Sequence, residues 1–294
     1  MIDYPNDAAI EGEAQRHALP IDVLVRDLAR IVEVLNLTER GFLHKKSVLA
    51  GSMALRTAGS PRFTVYDADF SIGGDDQPRP DEIRSALSYA DDDIEIKPGG
   101  EKPFDDRGSG WIFEPVTFDP IFTDFVSTDQ FKADISLRGL VEDGVEAPLK
   151  VPYDLGLWDE PPVVWVMSIH EVIAEKTLGW CVHGLAKHYA DLGYITGASL
   201  AGHITLESSR LREVLDAKLQ TMSRLQPKRY ANFPTIEDVI GKLKEFPAID
   251  QNQWNGLIYP KTTAGTYELE NVRKLIHGWL VPLFEGKVQR SPNP

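Results

Sequence analysis

The chain has 294 residues, of which 42% are hydrophobic and 26% charged, the balance of a folded water-soluble protein with one large or two modest domains. No apolar run approaches the roughly 18–20 residues that a membrane span needs, and the acidic opening, Met1 to Glu13, has no apolar h-region, which predicts a cytoplasmic protein with no membrane partner. A single cysteine, Cys181, excludes an internal disulfide and a cysteine-built zinc site.

The net charge of −14 is unevenly spread. Residues 1–160 carry 16 Lys and Arg against 32 Asp and Glu, whereas residues 161–294 carry 15 against 13. The acidic front half and near-neutral back half predict two domains, 1–160 and 161–294. In the second, Arg210, Arg212, Lys218, Arg224, Lys228 and Arg229 face only Glu213 and Asp216 over one stretch. Such a run is commonly a solvated helical face. Beside a nucleotide-handling site it becomes a candidate surface for a nucleic-acid backbone.

Taken in chain order, Val23, Leu24, Leu28, Ile31, Val32 and Leu35 fall at helical spacing and predict an amphipathic helix over residues 21–37. Val48-Leu49-Ala50, then Gly51-Ser52, then Met53-Ala54-Leu55-Arg56 reads as strand, tight turn and helix. Residues 65–72 alternate: Tyr66, Ala68, Phe70 and Ile72 take one face, and Asp67, Asp69 and Ser71 the other. Two carboxylates therefore leave the same strand face about 7 Å apart. Residues 73–110 are rich in Gly, Pro and Asp, which predicts loops around a helix near 81–90 and a strand at 94–96. Residues 131–137 alternate again, with Lys132, Asp134 and Ser136 opposite Phe131, Ala133, Ile135 and Leu137. The Pro-rich stretch 148–162 reads as a crossover. From Ser168, which with Glu171 has the form of a capping box, the pattern is mostly helical, with breaks at Pro227, Pro234, Pro247 and Pro260. The fold class expected is α/β (α+β), a small mixed sheet with helices on one side, followed by a mainly helical lobe.

Three features carry chemistry. Backbone N–H groups and a hydroxyl at the Gly51-Ser52 turn offer an anion site suited to a triphosphate. Asp67 and Asp69 supply hard oxygens of the kind Mg²⁺ takes, one or two carboxylates completed by substrate phosphates, and Mn²⁺ accepts similar ligands. Asp134, flanked by Lys132 and Ser136, offers a third carboxylate that can join the metal pair or accept a proton from an attacking hydroxyl. Each feature alone is commonplace in so acidic a chain; their order along the sequence is what carries information.

That order is the one found in nucleotidyltransferases of the DNA polymerase β-like superfamily, and the chain resembles the AbiEii-type nucleotidyltransferase toxins, including the MenT group. Leu49-Ala50-Gly51-Ser52, with Pro61-Arg62-Phe63-Thr64 and Asp67-Ala68-Asp69, is similar to the family's first motif. Phe131-Lys132-Ala133-Asp134-Ile135-Ser136 is similar to the second. The stretch from Ile173 and Lys176 to Lys187 and Asp191 is similar to the third, which pairs a lysine with a downstream aspartate. These matches span about residues 48–194. One extra residue separates Arg62 from Asp67, and His188 stands where the family often has an earlier aspartate, which leaves Asp191 as the partner. On one continuous helix Lys176 and Asp191 would lie about 22 Å apart, so their pairing requires the chain to fold back, and Gly184 is the place for it.

The resemblance implies a nucleotidyltransferase that moves a nucleoside monophosphate from an NTP (ATP, GTP or CTP) to the 3′ end of tRNA and so blocks translation, in a toxin–antitoxin system with a cognate antitoxin. Asp67, Asp69 and Asp134 would be the metal and catalytic carboxylates. Gly51, Ser52, Arg62, Lys132 and Lys176 would meet the nucleotide, with Asp191 orienting Lys176 or a substrate hydroxyl. The basic residues from Arg210 to Arg229 are then the candidate tRNA surface. Two other readings stay open. A transferase that adenylylates a small molecule or a protein would share every catalytic residue. A non-catalytic, nucleotide-binding antitoxin-like module would have no physical need of the complete carboxylate set.

Overall fold

A computed structural model describes residues 2–63, 67–74, 77–104, 109–137, 139–245, 249, 251–257 and 268–288. It divides into two compact units, one of the described residues up to Met167 and one of those from Ser168 onward.

The first unit opens with helices α1 (Asp7–His17) and α2 (Ile21–Glu39). Asn6 caps α1 by accepting from the Ala9 N–H. Of the predicted apolar positions of α2, Val23, Leu24, Leu28, Ile31 and Val32 are buried and Leu35 is half-buried, and burial goes further round the helix to include Asp27, Arg30 and Glu33. Strand β1 (Ser47–Leu49) leads through a turn into α3 (Gly51–Thr57) and β2 (Asp67–Ile72). Thr64, Val65 and Tyr66, part of the predicted first motif and strand, lie outside the described residues. There follow α4 (Pro80–Leu87), β3 (Tyr89–Ala90), β4 (Ile94–Pro98), β5 (Glu101–Pro103), β6 (Gly110–Pro120), β7 (Asp129–Leu137), β8 (Val145–Pro148) and β9 (Val163–Val166).

The nine strands form one mixed sheet in the order β3-β4-β6-β7-β2-β1-β9-β8, with β5 paired to β6. The β2–β7 and β1–β9 pairs are parallel, and the other pairs antiparallel. This sheet is larger than expected, chiefly because the eleven-residue β6 pairs with three other strands. Two prolines and a register shift between Phe113 and Val116 break its alternation, so it does not read as a strand. The Pro-rich stretch 148–162 is a correction: Leu149, Tyr153, Leu155 and Leu157 are buried in the first unit rather than spanning a linker. Because β9 pairs with β1, the first unit runs to Met167 rather than 160.

The second unit is helical: α5 (Ile169–His183), α6 (Ala186–Leu200), α7 (Ser208–Leu225), α8 (Pro227–Tyr230), α9 (Ile236–Lys244), α10 (Gln251–Asn255) and α11 (Leu269–Leu275), the last continuing through a π-turn (Ile276–Leu280) into α12 (Val281–Phe284). Ser168 caps α5 by accepting from the Glu171 N–H at 3.2 Å. Pro227 opens α8 as predicted for a break, while Pro247 and Pro260 lie outside the described residues. Among the described residues no helix is long and apolar enough to cross a membrane.

Candidate active site

The carboxylates meet because β2 and β7 run parallel in a defined register. Asp67 pairs with Lys132, Asp69 with Asp134 and Ser71 with Ser136, while Ala68, Phe70 and Ile72 pair with Ala133, Ile135 and Leu137. Alternation then places all six polar side chains on one face and the six apolar ones, all buried, on the other. Adjacent strands stand about 4.8 Å apart, so Asp67, Asp69 and Asp134 occupy neighbouring corners of one small patch.

Lys132 lies within this patch. Its Nζ donates to Asp134 Oδ2 at 2.7 Å and stands 3.4 Å from Asp67 Oδ1. Burial works to lower the pKa of this ammonium, but its hydrogen bond to Asp134 and the charges of Asp134, Asp67 and Asp69 outweigh it and raise the pKa above its ordinary value. Lys132 is therefore a cation at neutral pH. Among the described residues no group of three or more His, Cys, Asp and Glu side chains is arranged to hold a metal ion by itself.

The β1–α3 turn completes the patch. The Ala50 N–H donates to the Asp69 carbonyl at 2.8 Å, and the Met167 N–H to the Leu49 carbonyl at 2.9 Å, so the turn is pinned between β2 and the end of β9. Gly51 has φ +61°, a conformation costly for any residue with a side chain. A Cβ on Gly51 would also stand 2.6 Å from Cγ and 2.7 Å from Cβ of Asp69, closer than atoms can approach. The glycine therefore lets backbone lie directly against the Asp69 carboxylate. Gly51→Ala is expected to displace Asp69 and lower any metal-dependent turnover at least about a hundredfold, while the backbone strain costs about 1–3 kcal/mol. Turnover measured beside a melting curve checks it; an active Gly51→Ala protein would show that the close approach is dispensable. Ser52 and Arg62 are both buried in the same unit, and the Arg62 N–H lies 3.4 Å from Ser60 Oγ.

In the second unit α5 ends at His183, and Gly184 follows in the left-handed region at φ +64°. The reversal brings α6 back along α5, and Lys176 Nζ stands 2.8 Å from Asp191 Oδ2. Both side chains are buried, so the fold-back required for this pair is present.

A sequence profile described as "Nucleotidyl transferase AbiEii toxin, Type IV TA system" matches residues 35–262, a span that takes in every one of these features. The chain belongs to the AbiEii nucleotidyltransferase toxin family. Among solved structures it is similar to MenT4, a nucleotidyltransferase toxin from Mycobacterium tuberculosis H37Rv, with a TM-score of 0.61 and 15% identity over 94% of this chain and 86% of that one. At that identity the likeness shows a shared fold. JHP933 from Helicobacter pylori (TM-score 0.48, 16% identity, 90% and 92% covered) and a protein titled putative nucleotidyltransferase from the same organism (0.47, 15%, 92% and 97%) are more distant. No curated protein sequence matches the chain.

The structure corrects part of the basic stretch of this AbiEii chain. Lys218 is 1% exposed and lies 2.8 Å from both Glu171 and Glu175 of α5, so it ties α7 to α5 and presents no charge to a nucleic acid. Burial alone would lower its pKa, but Glu175 and Glu171 raise it. Arg212 donates to the Phe284 carbonyl and, at 2.9 Å, to Glu237, and Arg210 pairs with Glu213 at 3.2 Å. Arg224, Lys228 and Arg229 are exposed.

His188 is the neighbour whose part the sequence left undefined. Its ring packs over Gly179, where a Cβ would stand 3.0 Å from Nε2. Burial, then the Lys176 charge, push its pKa down to about 3. The folded-state pKa is thus depressed below the unfolded value of about 6.5, so stability is full above that value and falls with pH toward the folded one. Between pH 7 and 5 the native protein is expected to lose about 1–2 kcal/mol more than a His188→Gln variant, which chemical denaturation at the two pH values measures. Equal losses would show that His188 is not held neutral. Cys181 is buried, and burial pushes its thiol up to about 12, so it is inert.

Proposed function

We propose that this AbiEii nucleotidyltransferase transfers a nucleoside monophosphate from an NTP to the 3′ end of tRNA and thereby arrests translation. The observation that carries the reading is the parallel register of β2 and β7, which lines up Asp67, Asp69 and Asp134 beside a glycine turn. In the reaction the terminal hydroxyl oxygen attacks the α-phosphorus. The bond from that phosphorus to the bridging oxygen breaks, pyrophosphate leaves, and the hydroxyl proton passes to Asp134. Positioning and charge neutralisation supply most of the acceleration in such transfers.

A divalent metal suits these residues. The donors are hard oxygens on one face, and the Lys132 ammonium between two of them is itself a cation in the place where one is wanted. Mg²⁺ takes one or two carboxylates and fills its remaining positions with phosphate and water, so a site left incomplete by the protein agrees with a nucleotide-completed one. Asp67, Asp69 and Asp134 would hold the ion, which neutralises charge on the phosphates and polarises the reacting phosphoryl group. Mn²⁺ can take the same ligands. The Gly51-Ser52 backbone and hydroxyl, with Arg62, are assigned to the phosphates. Lys176, oriented by Asp191, is assigned to charge neutralisation of the triphosphate. The exposed Arg210, Arg224, Lys228 and Arg229, with the partly exposed Arg212, remain as the proposed tRNA-facing part of the basic stretch. The type IV toxin–antitoxin family implies a cognate antitoxin, and the setting proposed is cytoplasmic.

The test is a labelling assay with total tRNA, Mg²⁺ and each α-labelled NTP in turn, with Asp69→Ala as the control. Label in tRNA with the native protein alone is the expected result and identifies donor and acceptor class together. Label in protein or in a small molecule instead would replace the acceptor. NTP binding with no transfer to any acceptor would sink the enzymatic reading.

A further inference from the structure

The carboxylate patch carries its own cation, and that cation is in a position to leave. Lys132 bridges the two strands, 2.7 Å from Asp134 Oδ2 on its own β7 and 3.4 Å from Asp67 Oδ1 on β2. Its side chain is 26% exposed, and those of Asp67 and Asp134 are 25% and 21% exposed. This contrasts with Lys218, which holds Glu171 with the two side chains at 1% and 0% exposure and is a structural pair. Unlike Lys218, Lys132 stands where water and solutes reach both it and its partners. The nearby Glu114 pairs with Lys102 at 2.7 Å and adds a further carboxylate charge within reach of Lys132.

Three aspartates crowded on one face repel one another and need a compensating positive charge. A lysine ammonium supplies one charge and donates along directed N–H bonds. A divalent ion supplies two and coordinates several oxygens at once, and it needs the carboxylate oxygens that Lys132 occupies. Both cannot use Asp134 Oδ2 and Asp67 Oδ1 together.

We propose that Lys132 is the resting counter-cation of the carboxylate patch, which the divalent metal displaces and which then turns to the phosphates arriving with it. This rests on the metal-binding part of the proposed function. It assigns Lys132 two alternating partners, carboxylates in the free protein and triphosphate in the loaded one. It also makes metal entry dependent on nucleotide. Without phosphates to receive the ammonium, the ion must compete against it; with them, the lysine is drawn away as the metal enters. A free enzyme of this kind binds divalent ions poorly, and nucleotide and metal bind cooperatively.

The test uses the full chain and Mn²⁺ as the probe, with free ion counted by electron paramagnetic resonance in the absence of any nucleotide. Lys132→Gln is expected to bind Mn²⁺ about tenfold more tightly than the native protein, because a competing unit charge has been removed. Lys132→Arg, which keeps the charge, should stay near the native value. A non-hydrolysable NTP analogue should tighten Mn²⁺ binding strongly in the native protein and much less in Lys132→Gln. Adding Asp69→Asn to Lys132→Gln should remove the gained affinity. Lys132→Gln binding Mn²⁺ no more tightly than the native chain, with melting curves unchanged, would overturn the proposal while leaving the transferase reading intact. Tight Mn²⁺ binding that survives Asp69→Asn would place the ion elsewhere and overturn both. Absence of Mn²⁺ binding in every variant, with nucleotide present, would also overturn both. A failed tRNA labelling assay beside the expected Mn²⁺ series would remove the acceptor and leave the role of Lys132 standing.

Discussion

Replacing Asp69 by asparagine is expected to lower nucleotidyl transfer by about a thousandfold or more, which corresponds to about 4 kcal/mol of lost transition-state stabilisation. Asparagine keeps the shape of the side chain that lies over Gly51, so the β1–α3 turn retains its packing and the Ala50 N–H keeps its bond to the Asp69 backbone carbonyl. What is lost is one negative charge among the three carboxylates. That charge is the part of Asp69 that a metal ion requires. The melting temperature of Asp69→Asn should therefore stay close to native, because removing one of several crowded like charges relieves repulsion. Transfer measured at saturating NTP and Mg²⁺, with a melting curve alongside, separates the two effects. Activity within tenfold of native would mean that Asp69 is a turn residue and that the carboxylate patch is not the reaction centre. Asp69→Ala tests the same point with the packing also removed.

Much of this site is legible in the sequence because strand alternation is a local property. Residues 67–72 and 131–137 each separate polar from apolar side chains, so the face that Asp67, Asp69, Lys132 and Asp134 share follows from spacing alone. Their adjacency does not follow. Alternation says which way a side chain points but not which strand lies beside it, and the one-to-one pairing of Asp69 with Asp134 needs the tertiary register. The Lys176–Asp191 pair is legible for a different reason: a glycine between two helical stretches marks a reversal, and Gly184 adopts the left-handed conformation such a reversal uses. Lys218 shows where composition misleads. A lysine in a basic run reads as solvated, yet Lys218 lies on the buried face of α7 with Leu211, Val214, Leu215 and Leu219, and Glu171 and Glu175, four residues apart on α5, both reach it. The apolar spacing of α7 at 211, 214, 215 and 219, which places residue 218 on the same face, was the available signal. β6 escaped because Pro115 and a bulge break its period.

The second large effect lies behind the site, in a buried cluster that anchors its framework. Asp27 on α2 accepts from Arg30 at 3.0 Å and from Arg56 of α3 at 2.8 Å through Oδ1, and from the Tyr153 hydroxyl at 3.1 Å through Oδ2. Asp27, Arg30 and Arg56 are essentially sealed from solvent. Burial pushes the Arg30 guanidinium down to about 10 against the opposing pull of Asp27, and Tyr153 is held well above its usual range by burial and by Asp27. Arg56 also lies over the Phe63 ring at 5.3 Å, and Phe63 stacks on Tyr153 at 5.9 Å. One carboxylate thus serves two buried guanidinium groups, so it is the member whose loss cannot be shared out. Asp27→Ala is expected to destabilise the first unit by about 3–5 kcal/mol, because it leaves two buried positive charges without their counter-ion. Asp27→Asn keeps an acceptor for one arginine and should cost about half as much. Denaturant unfolding followed by a probe confined to the first unit measures both, since two units need not unfold together. The effect reaches the chemistry as well. Arg56 sits on the helix that begins at Gly51, and Arg30 Nη1 lies 3.4 Å from the Asp67 carbonyl oxygen. Loosening Asp27 therefore loosens the glycine turn and the start of the carboxylate strand together. A cost below about 1 kcal/mol for Asp27→Ala would be that of an exposed ion pair, and it would mean that the two arginines find other partners and that the site does not depend on this anchor.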